Sequence, residues 1–379
     1  MNITTFAYLP ATGWSVDPWP ALDSARTLVL LFGDSHFLDT PAPIRAIAAA
    51  YPTSQIIGCS TSGEIAGARV VDGSLLVTVV AFAHTRLATA HAPVPAVQES
   101  YAAGQALGAQ LAGPDLRSVL LFSDGLTVNG SELVRGLNAV LPPSVVVTGG
   151  LAGDGDRFQR TWVVWDGAPR AGFVVAAGLY GDRVQVGHGS KGGWDIFGPE
   201  RRVTRATGNI LYELDGKPAL QLYKEYLGER AAGLPATALL FPLALRAHPD
   251  DEKSIVRTIL GVDESTQSMI FAGDIPTGSL AQLMRANFDR LIDAAEAAAL
   301  MTRERNSPMG PVLALAISCV GRRLILGERT EEELEAALAV LPEGTQQIGF
   351  YSYGEISPYA AGSCDLHNQT MTLTTIYES

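Results

Sequence analysis

Charge is scarce in this chain, and cysteine scarcer still. Only 17% of the 379 residues are Asp, Glu, Lys or Arg, the formal net charge is -12, and no cluster of Lys and Arg stands out. A nucleic-acid partner, which is held by clustered cations, is disfavoured on that count. The three cysteines, Cys59, Cys319 and Cys364, are too few and too scattered for a disulfide framework or a CxxC zinc site. Cys59 and Cys319 end apolar runs, where burial as small hydrophobes is expected. The apolar run Leu28 to Phe32 is far too short to cross a membrane, and no basic and apolar regions of a signal peptide precede it, so a cytoplasmic protein with no membrane partner is expected.

What the chain has is apolar residues, at 47%, and enough length for two cores. It also repeats itself. Leu28 to Asp34 leads into a helix-like stretch from Pro43 to Ala50, then Tyr51-Pro52, then Gln55 to Gly58. Val119 to Gly125 leads into Glu132 to Leu141, then Pro142-Pro143, then Val145 to Gly150. Val312 to Ser318 leads into Glu331 to Leu341, then Pro342, then Gln346 to Gly349. Strand-length apolar runs separated by one helix read as βαβ units with buried strands. Further strands are expected at Ser74 to Phe82, Arg86 to Ala92, Arg160 to Trp165, Gly172 to Gly178, Val184 to His188 and Asn368 to Tyr377. The expected fold is α/β, with mixed sheets built from repeated βαβ units in two domains, 25–215 and 216–378. Gly187 to Pro199, the richest glycine segment, reads as a loop or hairpin margin. Ser279 to Arg303 reads as one long Ala-rich helix, and Pro218 to Leu227 as a shorter one.

Open α/β sheets collect ligands at the carboxyl ends of their strands. That rule points to the loops Cys59 to Ala66, Gly150 to Asp156 and Phe350 to Pro358. Gly-Glu-Ile recurs at Gly63-Glu64-Ile65 and Gly354-Glu355-Ile356. Glutamate is a poor turn former, so its recurrence suggests a helix N-terminal charge or a ligand contact. The candidate ligand contacts are therefore Cys59, Ser60, Thr61, Gly63, Glu64, Gly150, Asp154, Tyr353, Gly354 and Glu355, from loops expected to converge on one cleft.

Gly58-Cys59-Ser60-Thr61-Ser62-Gly63-Glu64-Ile65, Gly149 to Asp154, Asn209 to Gly228, Asp274 to Gly278, Tyr351 to Ile356 and His367 to Leu373 together resemble the FIST sensory family over roughly residues 25 to 378. The resemblance implies a signal-input module with N-terminal and C-terminal domains that binds a small ligand. Amino acids are among the ligands it suggests, and a histidine kinase or cyclic-di-nucleotide enzyme would be the partner. Some members the chain resembles in layout are haem-binding nitric-oxide sensors, so the resemblance implies haem as a candidate cofactor. Non-covalent haem would need an axial imidazole, for which His188 and His367 are the candidates.

An enzyme is the alternative: a hydrolase or lyase using Cys59, Ser60 or the paired Glu64 and Glu355. Against it, Cys59 to Gly63 lacks the first glycine of a nucleophile elbow, and no base for Cys59 can be located. Gly149 to Asp154 lacks the Lys-Ser/Thr of a phosphate loop. Asp154 and Asp156 make a weak cation signal.

Overall fold

In a computed structural model, residues 1–251, 254–303, 310–358 and 363–379 are described. The three βαβ repeats fold as expected and build one body by exchanging strands in a cycle. In each, two parallel strands flank a helix: Thr27–Gly33, Ala42–Ala50 and Gln55–Ser60; Leu116–Ser123, Gly130–Asn138 and Val146–Leu151; Leu313–Cys319, Thr330–Ala339 and Gln346–Ser352. These strands are long apolar runs because both faces are covered, by helices outside and by the neighbouring units inside.

The units trade strands. After its second parallel strand, each chain segment crosses into a neighbour's sheet: Glu64–Ala66 pairs with Gln346–Ser352, Val163–Trp165 with Gln55–Ser60, and Gly354–Pro358 with Val146–Leu151. The chain then returns to its own sheet as Leu75–Ala81, Phe173–Tyr180 or Met371–Glu378, antiparallel to the first strand. A last strand is given to the next unit, Arg86–Pro93 to Phe173–Tyr180 and Val184–Lys191 to Met371–Glu378. Asn2–Leu9 takes the corresponding slot beside Leu75–Ala81, and the Met1 amino group lies 3.5 Å from Glu378.

Three six- or seven-stranded sheets result, and their inner faces share one core in which Phe32, Phe122 and Phe350 meet with ring centroids 4.8 to 5.8 Å apart. Gly58, Gly149 and Gly349 are equivalent. A Cβ on them would lie 2.0, 1.8 and 1.7 Å from the carbonyl oxygens of Leu31, Leu121 and Ala316, so the parallel pairs close only over glycine.

A fourth sheet, with Asp195–Thr207 at its middle, holds eight strands between Asp195 and Arg285 and has its own core around Leu211, Phe241, Met269 and Phe271. Two expectations are corrected here. Ser279 to Arg303 is not one helix: Leu280–Arg285 is a strand paired with Leu243–Arg246 and Asp195–Thr207, and the helix is Phe288–Met301. Its cap is Asn287, whose side chain accepts from Arg290 N–H. Nor is Gly187 to Pro199 a loop, because Val184–Lys191 and Asp195–Thr207 are strands. Gly187 and Gly189 are small so that the helix can approach; a Cβ there would meet the Thr302 and Ala298 carbonyl oxygens at 2.1 and 2.0 Å.

Candidate functional site

The three loops do converge, but they converge shut. Ser60 N–H donates to Trp162 O at 2.9 Å, Ser62 N–H to Tyr351 O at 2.8 Å, and Tyr353 N–H to Leu151 O at 3.2 Å, so the exchanged strands stitch the units together where an open cleft was expected. Cys59, Ser60, Glu64, Asp154 and Glu355 are each at most 1% exposed.

Glu64 and Glu355 are counterparts. Glu64 takes a hydrogen bond from Thr61 on one oxygen and, on the other, from Ser74 N–H at 3.0 Å and the Ser74 hydroxyl at 2.8 Å. Glu355 does the same with the Ser352 hydroxyl at 2.8 Å, Thr370 N–H at 3.1 Å and the Thr370 hydroxyl at 2.9 Å. Each carboxyl therefore ties the exit of its second parallel strand to the N–H of the residue just before the returning strand. In the middle unit that N–H, on Gly172, is taken by Asp124 at 3.0 Å. This joint accounts for the recurrence of Gly-Glu-Ile without a helix or a ligand. Burial pushes both carboxyls up to about 8, outweighing their hydrogen bonds.

The other candidates are equally internal. The Ser60 hydroxyl accepts from Trp162 N–H at 3.1 Å, and burial, followed by nearby Glu64, raises the Cys59 thiol well above its usual range. Gly63 leaves room for Arg323, whose guanidinium would lie 2.3 Å from a Cβ. Gly150 leaves room for Ile317 and Phe350, and Gly354 pairs with Leu151. Asp154 accepts from Gln159 and Arg160 N–H, each at 3.0 Å, and from the Tyr353 hydroxyl. Cys59, Ser60, Glu64 and Glu355, the residues of the hydrolase or lyase alternative, are all buried.

The candidate haem ligands, His188 and His367, both lie in strands. His188 sits in mid-strand with Nδ1 buried and unpartnered, and burial lowers its pKa. His367 is 3% exposed, and its Nε2 is 2.9 Å from the Ser357 carbonyl oxygen, which commits that nitrogen to an N–H. Neither borders the cavity described next.

That cavity, of about 440 Å³, lies where the fourth sheet meets the threefold body. Leu234, Pro235, Ala236, Leu239, Thr258, Ile259, Leu260 and Ala272 come from the fourth-sheet segment; Cys319, Val320, Gly321, Leu324 and Tyr353 from the third unit; Asp156 and Phe158 from the long crossing of the middle unit. Phe158 stacks on Tyr353 with centroids 4.4 Å apart, and the Tyr353 hydroxyl is fixed by Asp154 and by Gly155 O at 3.0 Å. The Thr258 hydroxyl is buried with no hydrogen-bond partner. Cys319 is raised to about 12, chiefly by burial, so it meets the cavity as a protonated thiol. A second, more polar hollow of about 580 Å³ adjoins it, sharing Asp156, Val320 and Leu324.

Of the residues singled out from the sequence, Tyr353 and Asp156 border the cavity, with Asp154 behind Tyr353. The rest of the lining was missed: part of it belongs to irregular segments such as Gly233 to Leu240 that carry no strand or helix period, and the rest to strand and helix ends that nothing local marks as neighbours. An apolar stretch with two prolines and no periodicity, Leu234 to Pro242, was the available signal.

The chain is a strand-exchanged α/β body with an inserted sheet and a mostly apolar cavity at their junction. The FIST N domain model matches residues 27–217 and the FIST C domain model residues 219–358, and the chain belongs to the FIST family of sensory domains. It is similar to an uncharacterised Mycobacterium tuberculosis protein, 26% identical over 91% of this chain and 89% of the relative. It is also similar to an uncharacterised Mycobacterium bovis protein, 28% identical over 67% of this chain and 66% of the relative. A third relative, an uncharacterised protein of Methanocaldococcus jannaschii, is 28% identical over 56% of this chain and 45% of its own length. The two family domains follow one another in sequence but share sheets in space, since Glu64–Ala66 and Val184–Lys191 lie in the sheet of the third unit. Among the described residues no helix is long and apolar enough to cross a membrane, and no group of three or more His, Cys, Asp or Glu could hold a metal ion.

Proposed function

We propose that this protein senses a small molecule bound in the cavity at the junction of the fourth sheet and the threefold body, and reports occupancy to a separate signalling protein. The family resemblance suggests a histidine kinase or a cyclic-di-nucleotide enzyme as that protein. One observation carries the reading: a mostly apolar cavity of about 440 Å³, walled by three distant parts of the chain. Small-molecule sites are concave, mostly apolar and fitted with a few polar groups. A site between two separately cored bodies also suits a sensor, because a ligand that touches both favours one relative placement and so shifts a population.

The test is a thermal-shift screen of the full chain against amino acids, amines, carboxylates and haem, repeated on Ala236→Trp, which fills the cavity from its rim. A ligand at a hundredfold its Kd adds about 2.7 kcal/mol, a rise of a few degrees. The rise should vanish in the variant, and an equal rise in both proteins would move the site elsewhere. Haem, which would need His188 or His367 as its axial ligand, is not part of this reading. A stoichiometric Soret band on protein expressed with haem supply, lost in His188→Ala or His367→Ala, would replace it.

A further inference from the structure

What borders the cavity narrows the ligand. Among the described residues no Lys, Arg or His lines it, and the one charged group there, Asp156, is exposed at the edge shared with the neighbouring hollow. The other polar side chains offer little. The Thr258 hydroxyl is buried out of reach, and the Tyr353 hydroxyl is taken up by Asp154, by Gly155 O at 3.0 Å and by Phe158 N–H at 3.3 Å. Cys319 is a protonated thiol and so a weak donor. An anion would find no cation here, and an ammonium would find only a carboxylate that water already screens.

One wall is built with unusual care. Phe158 holds a left-handed backbone, φ +50°, which a bulky residue keeps only under constraint. Asp154 supplies it by accepting from the next two N–H groups, on Gln159 and Arg160, at 3.0 Å each. The Phe158 ring is thereby laid on Tyr353, centroids 4.4 Å and planes 14° apart, while it remains 45% exposed at the cavity. A ring fixed on one side and left bare on the other is a platform for a second ring. Leu260 and Leu324, 45% and 46% exposed, stand at the same opening, and large apolar side chains left in water together mark a surface built to be covered.

We infer that the ligand is an uncharged, largely apolar molecule with an aromatic ring, and that this ring stacks on Phe158 inside the cavity. This rests on the cavity being the sensory site.

The probes are ethylbenzene, 2-phenylethylamine and 3-phenylpropionic acid, which keep the ring and its two-carbon arm while the end is neutral, cationic or anionic. By calorimetry on the full chain at neutral pH, ethylbenzene should bind at least about tenfold more tightly than either charged probe, because neither charge meets a partner that compensates for lost water. Its binding should vanish in Ala236→Trp and weaken about tenfold in Phe158→Gly. Glycine adopts the left-handed backbone freely, so Phe158→Gly should melt within a few degrees of wild type.

If either charged probe binds as tightly as ethylbenzene and is lost in Ala236→Trp, the inference is overturned while the cavity reading stands. Undiminished ethylbenzene binding in Phe158→Gly or in Ala236→Trp also overturns it, since the ring then rests elsewhere. A ring that served only the fold would lower the melting temperature of Phe158→Gly and leave binding unchanged. Failure of all three probes at millimolar concentration overturns the inference as well, and the cavity reading is then decided separately by the thermal-shift screen.

Discussion

Replacing Glu64 and Glu355 with Gln should make the fold resistant to mild alkali. Each carboxyl is pushed from 4.5 to about 8, burial being the leading cause. Between those values the unfolded chain has lost the proton and the folded protein still holds it, so stability falls as pH rises. The contribution is fully present below about pH 4.5 and lost above about pH 8. At about 1.4 kcal/mol per pH unit, the total is roughly 5 kcal/mol for each carboxyl. His188 works in the opposite sense: its lowered pKa gives stability that is present above its ordinary 6.5 and lost as pH falls. The interval from about pH 6.5 to 8 therefore isolates the glutamates, each adding a slope of about -1.4 kcal/mol per pH unit. Gln reproduces the neutral acid, with its oxygen placed for the Ser74 or Thr370 donors. Urea denaturation across that interval should show about half the slope in Glu355→Gln and little in Glu64→Gln/Glu355→Gln. An unchanged slope in the double variant would refute the reasoning. So would destabilisation of that variant at every pH, which would mean that the carboxylates are ionised and held by their donors.

Gly349→Ala should cost more than about 3 kcal/mol and yield little soluble protein, since its Cβ would lie 1.7 Å from the Ala316 carbonyl oxygen; a melting temperature within a few degrees of wild type would contradict this. Glu333 and Arg322 form an ion pair 2.8 Å apart with both side chains 0% exposed, so Glu333→Gln should lose about 3 to 5 kcal/mol in urea, and Arg322→Met/Glu333→Leu should lose less than the single variant. Cys59 and Cys319 are buried free thiols, so Ellman's reagent near neutral pH should titrate both only after unfolding, with Cys59 silent in the native state.

Much of the threefold body was legible in the sequence. The units around Thr27–Gly33, Leu116–Ser123 and Leu313–Cys319 announce themselves by apolar runs of strand length and by the glycine that follows, because burial on both faces and close backbone approach are local demands on residue type. The fourth sheet was not so plain. Leu280–Arg285 was read as helix because its neighbours Ala281, Leu283 and Met284 suit either period, and only its partners at Leu243–Arg246 and Glu200–Arg202 decide the matter.

The functional reading divides along the same line. Sequence motifs were enough to place the chain in its family and to mark Glu64 and Glu355 as special, but not to say why. Their meaning depends on Ser74 and Thr370, ten and fifteen residues away along the chain, and on strands exchanged between units nearly three hundred residues apart. The cavity is wholly a product of tertiary structure. Thr258, Cys319 and Phe158 share no motif and no period, and they border one space only because the inserted sheet docks on the strand-exchanged body, where long-range pairing fixes what lies next to what.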